Sequence, residues 1–76
     1  SLHRLNYHDE CEEAINKQIN EELHAYYTYM AMAAWCGRAD VALPGFAAFF
    51  TASSREEHQH ALFMMDYQLK RGGRVT

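Results

Sequence analysis

Between Tyr7 and Cys36 the chain carries no proline and no glycine, and apolar side chains recur at helical spacing. Ile15, Ile19, Tyr26, Tyr29 and Ala33 fall on one stripe of a helix predicted over about 7–36. Asp9, Glu10, Glu12 and Glu13 cluster where that helix begins, and there the helix dipole favours negative charge. Gly37 is the expected stop. After a short connection, Arg38 to Leu43, Pro44 suits the first turn of a second helix over about 44–71. On that helix Phe46, Phe50, Ser53, Glu57, His60, Met64 and Tyr67 share one face. Lys70, Arg71 and Arg74 read as charge complementing its C-terminal dipole, and Gly72-Gly73 ends it.

Two long helices and one short turn make an antiparallel hairpin. The expected domain is that single hairpin, 1–76, in the all-α class. Each rod is about 40 Å long at about 1.5 Å per residue, and neither can cover all of the other's apolar surface. Leu62, Phe63, Met64 and Met65 are apolar nearly all round the helix, which calls for further helices packed outside the pair.

Composition narrows the classes. Of 76 residues, 49% are hydrophobic and 22% charged, the balance of a folded domain and not of a disordered chain. The net charge of -3 argues against nucleic acid as a partner. No apolar run is long enough to span a membrane. The first ten residues show no signal-peptide pattern, so the cytoplasm is the expected location, with secretion left open. Cys11 and Cys36, on one helix, would stand about 37 Å apart, too far for a disulfide.

One residue interrupts the first apolar stripe. Glu22 lies between Ile19 and Tyr26, about as far before the turn as Glu57 lies after it. Antiparallel packing therefore brings Glu22, Glu57 and His60 to one level. A buried carboxylate needs a partner, and a divalent cation supplies one. Carboxylates with an imidazole suit iron or manganese. A Glu-x-x-His pair alone is ordinary on a solvated helix; the matching height of Glu22 is what gives this one weight. Tyr29, two turns from Glu22, reads from the residues alone as a core tyrosine. His58, Glu56 and Gln59 read as solvated, and His3, His8 and His24 as ordinary.

The runs "NYH" at Asn6 to His8, "INKQINEELHAYYTYMAM" at Ile15 to Met32, "DVAL" at Asp40 to Leu43, "EEHQHA" at Glu56 to Ala61 and "RGGRV" at Arg71 to Val75 carry a likeness. With them the chain resembles animal ferritin, specifically the first two helices of the heavy, iron-oxidising type of subunit. The resemblance implies a ferritin-like four-helix bundle of which this chain is the N-terminal half. It implies Glu22 as the first-helix ligand of a di-iron centre, Glu57 as the carboxylate bridging the irons, His60 as the histidine on the first iron, and Tyr29 as a tyrosine beside that centre. It further implies Fe(II) and dioxygen as substrates and storage of the ferric product as mineral inside a shell of many subunits.

The departures are as informative. The ligands that the family places on its third and fourth helices are not in this sequence. Glu56 is kept, but Gln59 and Leu62 stand where the family tends to carry mineral-nucleating acids. A partner is therefore expected to complete the bundle, either another copy of the hairpin or a complementary C-terminal half. The competing expectations are a structural hairpin that assembles without oxidising iron, and a two-helix carrier that holds Fe(II) without oxidising it.

Overall fold

The computed structural model describes residues 7–76; His3 and Asn6, named above, lie outside the described residues. Two helices account for most of the chain, α1 at Asp9–Cys36 and α2 at Pro44–Lys70. They pack side by side as one antiparallel hairpin. Its Cα extents are 55 × 14 × 11 Å, with a radius of gyration of 16.4 Å. A compact domain of this length would have about 11 Å. The molecule is a rod.

Helix α1 starts two residues later than the pattern predicts. His8 is extended, and its carbonyl accepts the N–H groups of Cys11 and Glu12 at 3.0 and 3.1 Å. Tyr7 turns back onto α2, where its hydroxyl donates to Gln68. The far end stops at Gly37 as expected, but not through a left-handed glycine. Gly37 is right-handed (φ -85°, ψ -5°), and its N–H meets the carbonyl of Ala33 at 3.0 Å. The left-handed residue of the connection is Ala42, with φ 50°, a conformation that costs a non-glycine residue about 1–2 kcal/mol. It is held there by its own N–H on the Arg38 carbonyl at 2.8 Å and by Leu43 N–H on the Cys36 carbonyl at 2.9 Å. Pro44 then opens α2 at its first position, where no N–H is needed.

Helix α2 ends in a Schellman turn. Gly73 N–H reaches the Gln68 carbonyl and Gly72 N–H the Leu69 carbonyl, at 2.9 and 3.0 Å. Gly72 sits at φ 77°, which glycine adopts without strain. The charges near this end do more than complement a dipole. Lys70 pairs with Asp66 at 2.9 Å, and the Arg71 guanidinium lies over the Tyr7 ring, 5.1 Å from its centroid.

The seam follows the predicted apolar stripe on α1 but departs from the apolar pattern on α2. The buried positions of α2 are Ser54, Ala61 and Gln68, seven residues apart. Those of α1 include Asn16 and Ile19, with Leu23 and Tyr26 half-buried on the same 3–4 spacing. A seven-residue repeat keeps one face of each helix against the other along a coiled-coil seam. Small side chains at Ser54 and Ala61 let the helices approach closely. Among the described residues Ile19 is the one large aliphatic side chain fully buried, worth about 1.5–3 kcal/mol. Of the face predicted on α2, Phe46 and Tyr67 lie beside the seam and remain exposed, and Phe63 is exposed as its all-round apolar setting implies.

The tail folds back over α1. Gln68 is fully buried; its amide donates to the Glu12 carbonyl at 2.9 Å and the Arg74 carbonyl at 3.2 Å. Arg74 N–H meets the Glu12 carboxylate at 2.7 Å, and Asn16 donates to the Arg74 carbonyl at 2.7 Å. Glu12, read above as a dipole charge, is thus a tether for the tail.

Candidate metal centre

Glu22 lies on α1 and Glu57 and His60 on α2, at one height along the rod. Asp40, in the turn, is eighteen residues from Glu22 and seventeen from Glu57, so the antiparallel fold sets them level. His60 Nδ1 is 3.7 Å from Glu22 Oε2 and 3.9 Å from Glu57 Oε2. One donor atom from each of the three falls within 4.8 Å of the others. Side-chain exposure grades across the group: 13% for Glu22, 25% for Glu57 and 52% for His60. The carboxylates are recessed at the seam and the imidazole stands at its lip.

Those separations decide what holds the group together. An N–H···O hydrogen bond spans about 2.7–3.2 Å. The imidazole is farther than that from both carboxylates, yet all three donors are close enough to turn toward one shared cation. The donor chemistry fits iron: two hard carboxylate oxygens and one imidazole nitrogen, with no thiolate among them. Both cysteines are free, Cys11 exposed and Cys36 buried near the turn, and neither is in the group.

Spacing alone gave no role to Gln18. Its amide donates to Glu22 Oε1 at 3.1 Å, one turn back on the same helix. That contact leaves Oε2 directed to His60. The signal was present in the i, i+4 spacing of Gln18 and Glu22, a pairing that helices use often.

Tyr29 is half-buried two turns toward the loop, its ring stacked on Phe50 at 6.1 Å and 22°. His58, expected to be merely solvated, is exposed but stacks on Tyr26 at 4.8 Å and 25°. Tyr26 in turn touches Tyr27, with centroids 5.1 Å apart. The two histidines of the "HQH" triplet thus lie on different faces, one on aromatic rings and one at the carboxylates. His8 caps α1 through its carbonyl, and His24 is exposed. Glu56, Gln59 and Leu62 are exposed.

No helix among the described residues is long and apolar enough to cross a membrane. Residues 12–76 match the family model described as the ferritin-like domain. The whole chain is 59% identical to a ferritin-1 heavy chain of Schistosoma mansoni and 56% identical to a ferritin heavy chain of Echinococcus granulosus, covering 44% of each. It is 57% identical over its full length to a chloroplastic ferritin of Malus baccata var. xiaojinensis, covering 30% of that protein. The chain thus spans less than half the length of the curated relatives it matches. A hairpin of two long helices, a model match over nearly all of the chain and this level of identity agree: the chain belongs to the ferritin family.

Proposed function

We propose that the hairpin binds Fe(II) through Glu22, Glu57 and His60 and oxidises it with dioxygen, as half of an iron-storing four-helix bundle. The observation that carries this reading is the convergence of three iron-type donors from two helices within 4.8 Å. Carboxylate oxygens favour the higher charge of Fe(III) and so pull the oxidation forward. Two Fe(II) supply two electrons, which with two protons take one dioxygen to hydrogen peroxide. In this reading Glu57 would be shared between the two ions, and Glu22 and His60 would hold the first. Gln18 orients Glu22.

Three donors do not saturate two irons; in this reading further helices, from another hairpin or from a complementary C-terminal half, supply the rest. The exposed Glu56 offers one acid for mineral growth, while Gln59 and Leu62 offer none. The free thiols agree with the reducing cytoplasm as the compartment.

The test is aerobic addition of Fe(II), following residual Fe(II) with a ferrous chelator and dissolved oxygen with an electrode. The unaltered chain consumes both well above the rate in buffer. His60→Ala falls back to the buffer rate. If His60→Ala keeps the rate of the unaltered chain, the ligand assignment is wrong. A second reading rests on the exposed Phe46, Phe49, Phe63 and Tyr67: a structural hairpin that assembles through them without oxidising iron. It predicts the buffer rate for the unaltered chain and an assembly indifferent to chelators. Fe(II) held unoxidised in air would mark the carrier instead.

A further inference from the structure

The metal-type residues stand at mid-rod. Thirteen residues of α1 precede Glu22 and fourteen follow it; thirteen residues of α2 precede Glu57 and thirteen follow it. At about 1.5 Å per residue, Glu57 is therefore roughly 15–20 Å along the rod from the turn and from the Gln68 contacts, which tie the helices at their ends. Between those ties the buried residues of α2 are Ser54 and Ala61, too small to interlock with α1 and stop α2 turning about its own axis. Such turning matters. A helix with its side chains is about 10–12 Å across, so about 5° of rotation carries a rim atom about 0.5 Å. That is about the tolerance within which a binding constellation has to be held.

One contact at this level opposes the rotation. His58 stacks on Tyr26 across the seam, centroids 4.8 Å apart and planes 25° from parallel, the closest ring pair among the described residues. Tyr27 braces Tyr26, with centroids 5.1 Å apart. Counted from the buried Ala61 at about 100° per residue, His58 lies about 60° to one side of the seam. His60 lies about 100° to the other side, and Glu57 about 40° on the side of His60. Helix α2 thus grips α1 from both flanks, with a ring on Tyr26 at one and an imidazole facing Glu22 at the other. Turning α2 so that His60 withdraws from Glu22 drives His58 into Tyr26. Turning it the opposite way pulls the stack apart. Tyr26 is one turn from Glu22, and His58 falls between Glu57 and His60, so the stack and the donors share a level. The other ring pair across the seam, Tyr29 on Phe50, is looser at 6.1 Å and stands two turns toward the loop.

We propose that His58 is a positioning residue: its stack on Tyr26 sets the rotation of α2, and with it the gap between His60 and Glu22, while His58 itself gives no donor to the cation. The inference rests on the iron-binding reading above and deepens it. The donor group of Glu22, Glu57 and His60 does not include His58. What counts at position 58 is therefore a flat ring and not an imidazole nitrogen, and phenylalanine serves there as well as histidine.

Anaerobic calorimetric titration of the 76-residue chain with Fe(II), and the visible spectrum of Co(II) bound in its place, test this. Circular dichroism follows helix content in every variant. His58→Ala and Tyr26→Ala should each weaken Fe(II) binding about tenfold, the low end for groups that support metal ligands, and shift the Co(II) bands. The double variant should lose no more than either single one, because the two rings act through one contact. His58→Phe and Tyr26→Phe should keep the affinity and the bands. His58→Gln, a good helix former without a ring, reports in place of an alanine variant that loses helix. Tyr7→Phe, which loosens the hairpin at its far end, should leave both readings unchanged. Full affinity and unshifted bands in His58→Ala, with both lost in His60→Ala, would overturn the positioning role and leave the iron-binding reading standing. A His58→Phe variant as weak as His58→Ala would show that the nitrogens of His58 matter, and would overturn the stacking role. So would a Tyr7→Phe variant as weak as His58→Ala, since general loosening would then explain the loss. An unaltered chain that binds no better than His60→Ala would overturn both readings.

Discussion

His60 reaches across the seam from α2 to within 3.7 Å of the Glu22 carboxylate on α1, joining two residues thirty-eight apart in the chain. The contact is possible because the turn near Asp40 places both helices at the same level. Glu22 has a second restraint, the Gln18 amide on its other oxygen. Partners of this kind around a metal typically contribute 10–100-fold in affinity. Gln18→Leu should therefore weaken anaerobic Fe(II) binding by about tenfold, and Glu22→Ala by more than the ~100-fold at the top of that range. Calorimetric titration reads both. Equal affinities for Gln18→Leu and the unaltered chain would remove Gln18 from the account.

Gln68 and Gly73 hold the tail. Replacing Gln68 by leucine keeps the volume but removes its hydrogen bonds to the Tyr7 hydroxyl and to the carbonyls of Glu12 and Arg74, the last of which keeps Asn16. At about 0.5–1.5 kcal/mol net per lost hydrogen bond, the loss should be about 2–4 kcal/mol in urea unfolding. Gly73→Ala adds a Cβ 3.0 Å from the Gln68 side chain and 3.1 Å from Glu12 Oε2, closer than such atoms pack. It should cost about 1–3 kcal/mol by overpacking, and less in a Glu12→Ala background.

Tyr7 makes the hairpin sensitive to alkali. Burial, ahead of the nearby Tyr67, Cys11 and Glu12, raises its phenol above the usual 10.0, while Arg71 pulls the other way. The folded chain therefore holds this proton more tightly than the unfolded chain. The contribution is complete below pH 10 and is lost as pH rises from there through the raised value. Urea midpoints measured from about pH 8 to about pH 11 should fall more steeply for the unaltered chain than for Tyr7→Phe. Parallel slopes would rule out this source.

Ala61 is fully buried where the helices touch. It follows His60 directly, so any spreading of the seam there also moves the ligands. Ala61→Leu should destabilise the hairpin by about 1–3 kcal/mol through overpacking and weaken Fe(II) binding with it. Ala61→Gly leaves the seam room and should cost about 1 kcal/mol through helix propensity, with little change in metal affinity. A leucine variant with unaltered affinity would show that the donors do not depend on the close approach of the helices.

The helices and the turn were legible in the sequence because spacing, Pro44 and Gly72-Gly73 all mark the same boundaries. So was the shared level of Glu22, Glu57 and His60, since it follows from equal distances to the turn. The α2 side of the seam was not legible. Hydrophobic periodicity selects Phe46, Phe50, Met64 and Tyr67, but close-packed helices select small side chains, and Ser54 and Ala61 carry little apolar signal. The tail knot was illegible for another reason. The bond from Tyr7 to Gln68 joins residues sixty-one apart, and nothing in either neighbourhood announces it. His58 is exposed as read, and only its stacking on Tyr26 was hidden, since nothing in the sequence places Tyr26 opposite.

The mid-rod position of Glu22 and Glu57 has a bearing on wear. Helices loosen first at their termini, where the last turns have fewest neighbours. With thirteen residues or more of helix on each side, several turns can come undone at either extremity before the Glu22 and Glu57 oxygens lose their backing. In the proposed reading, the most hazardous chemistry sits at the place that is last to fray.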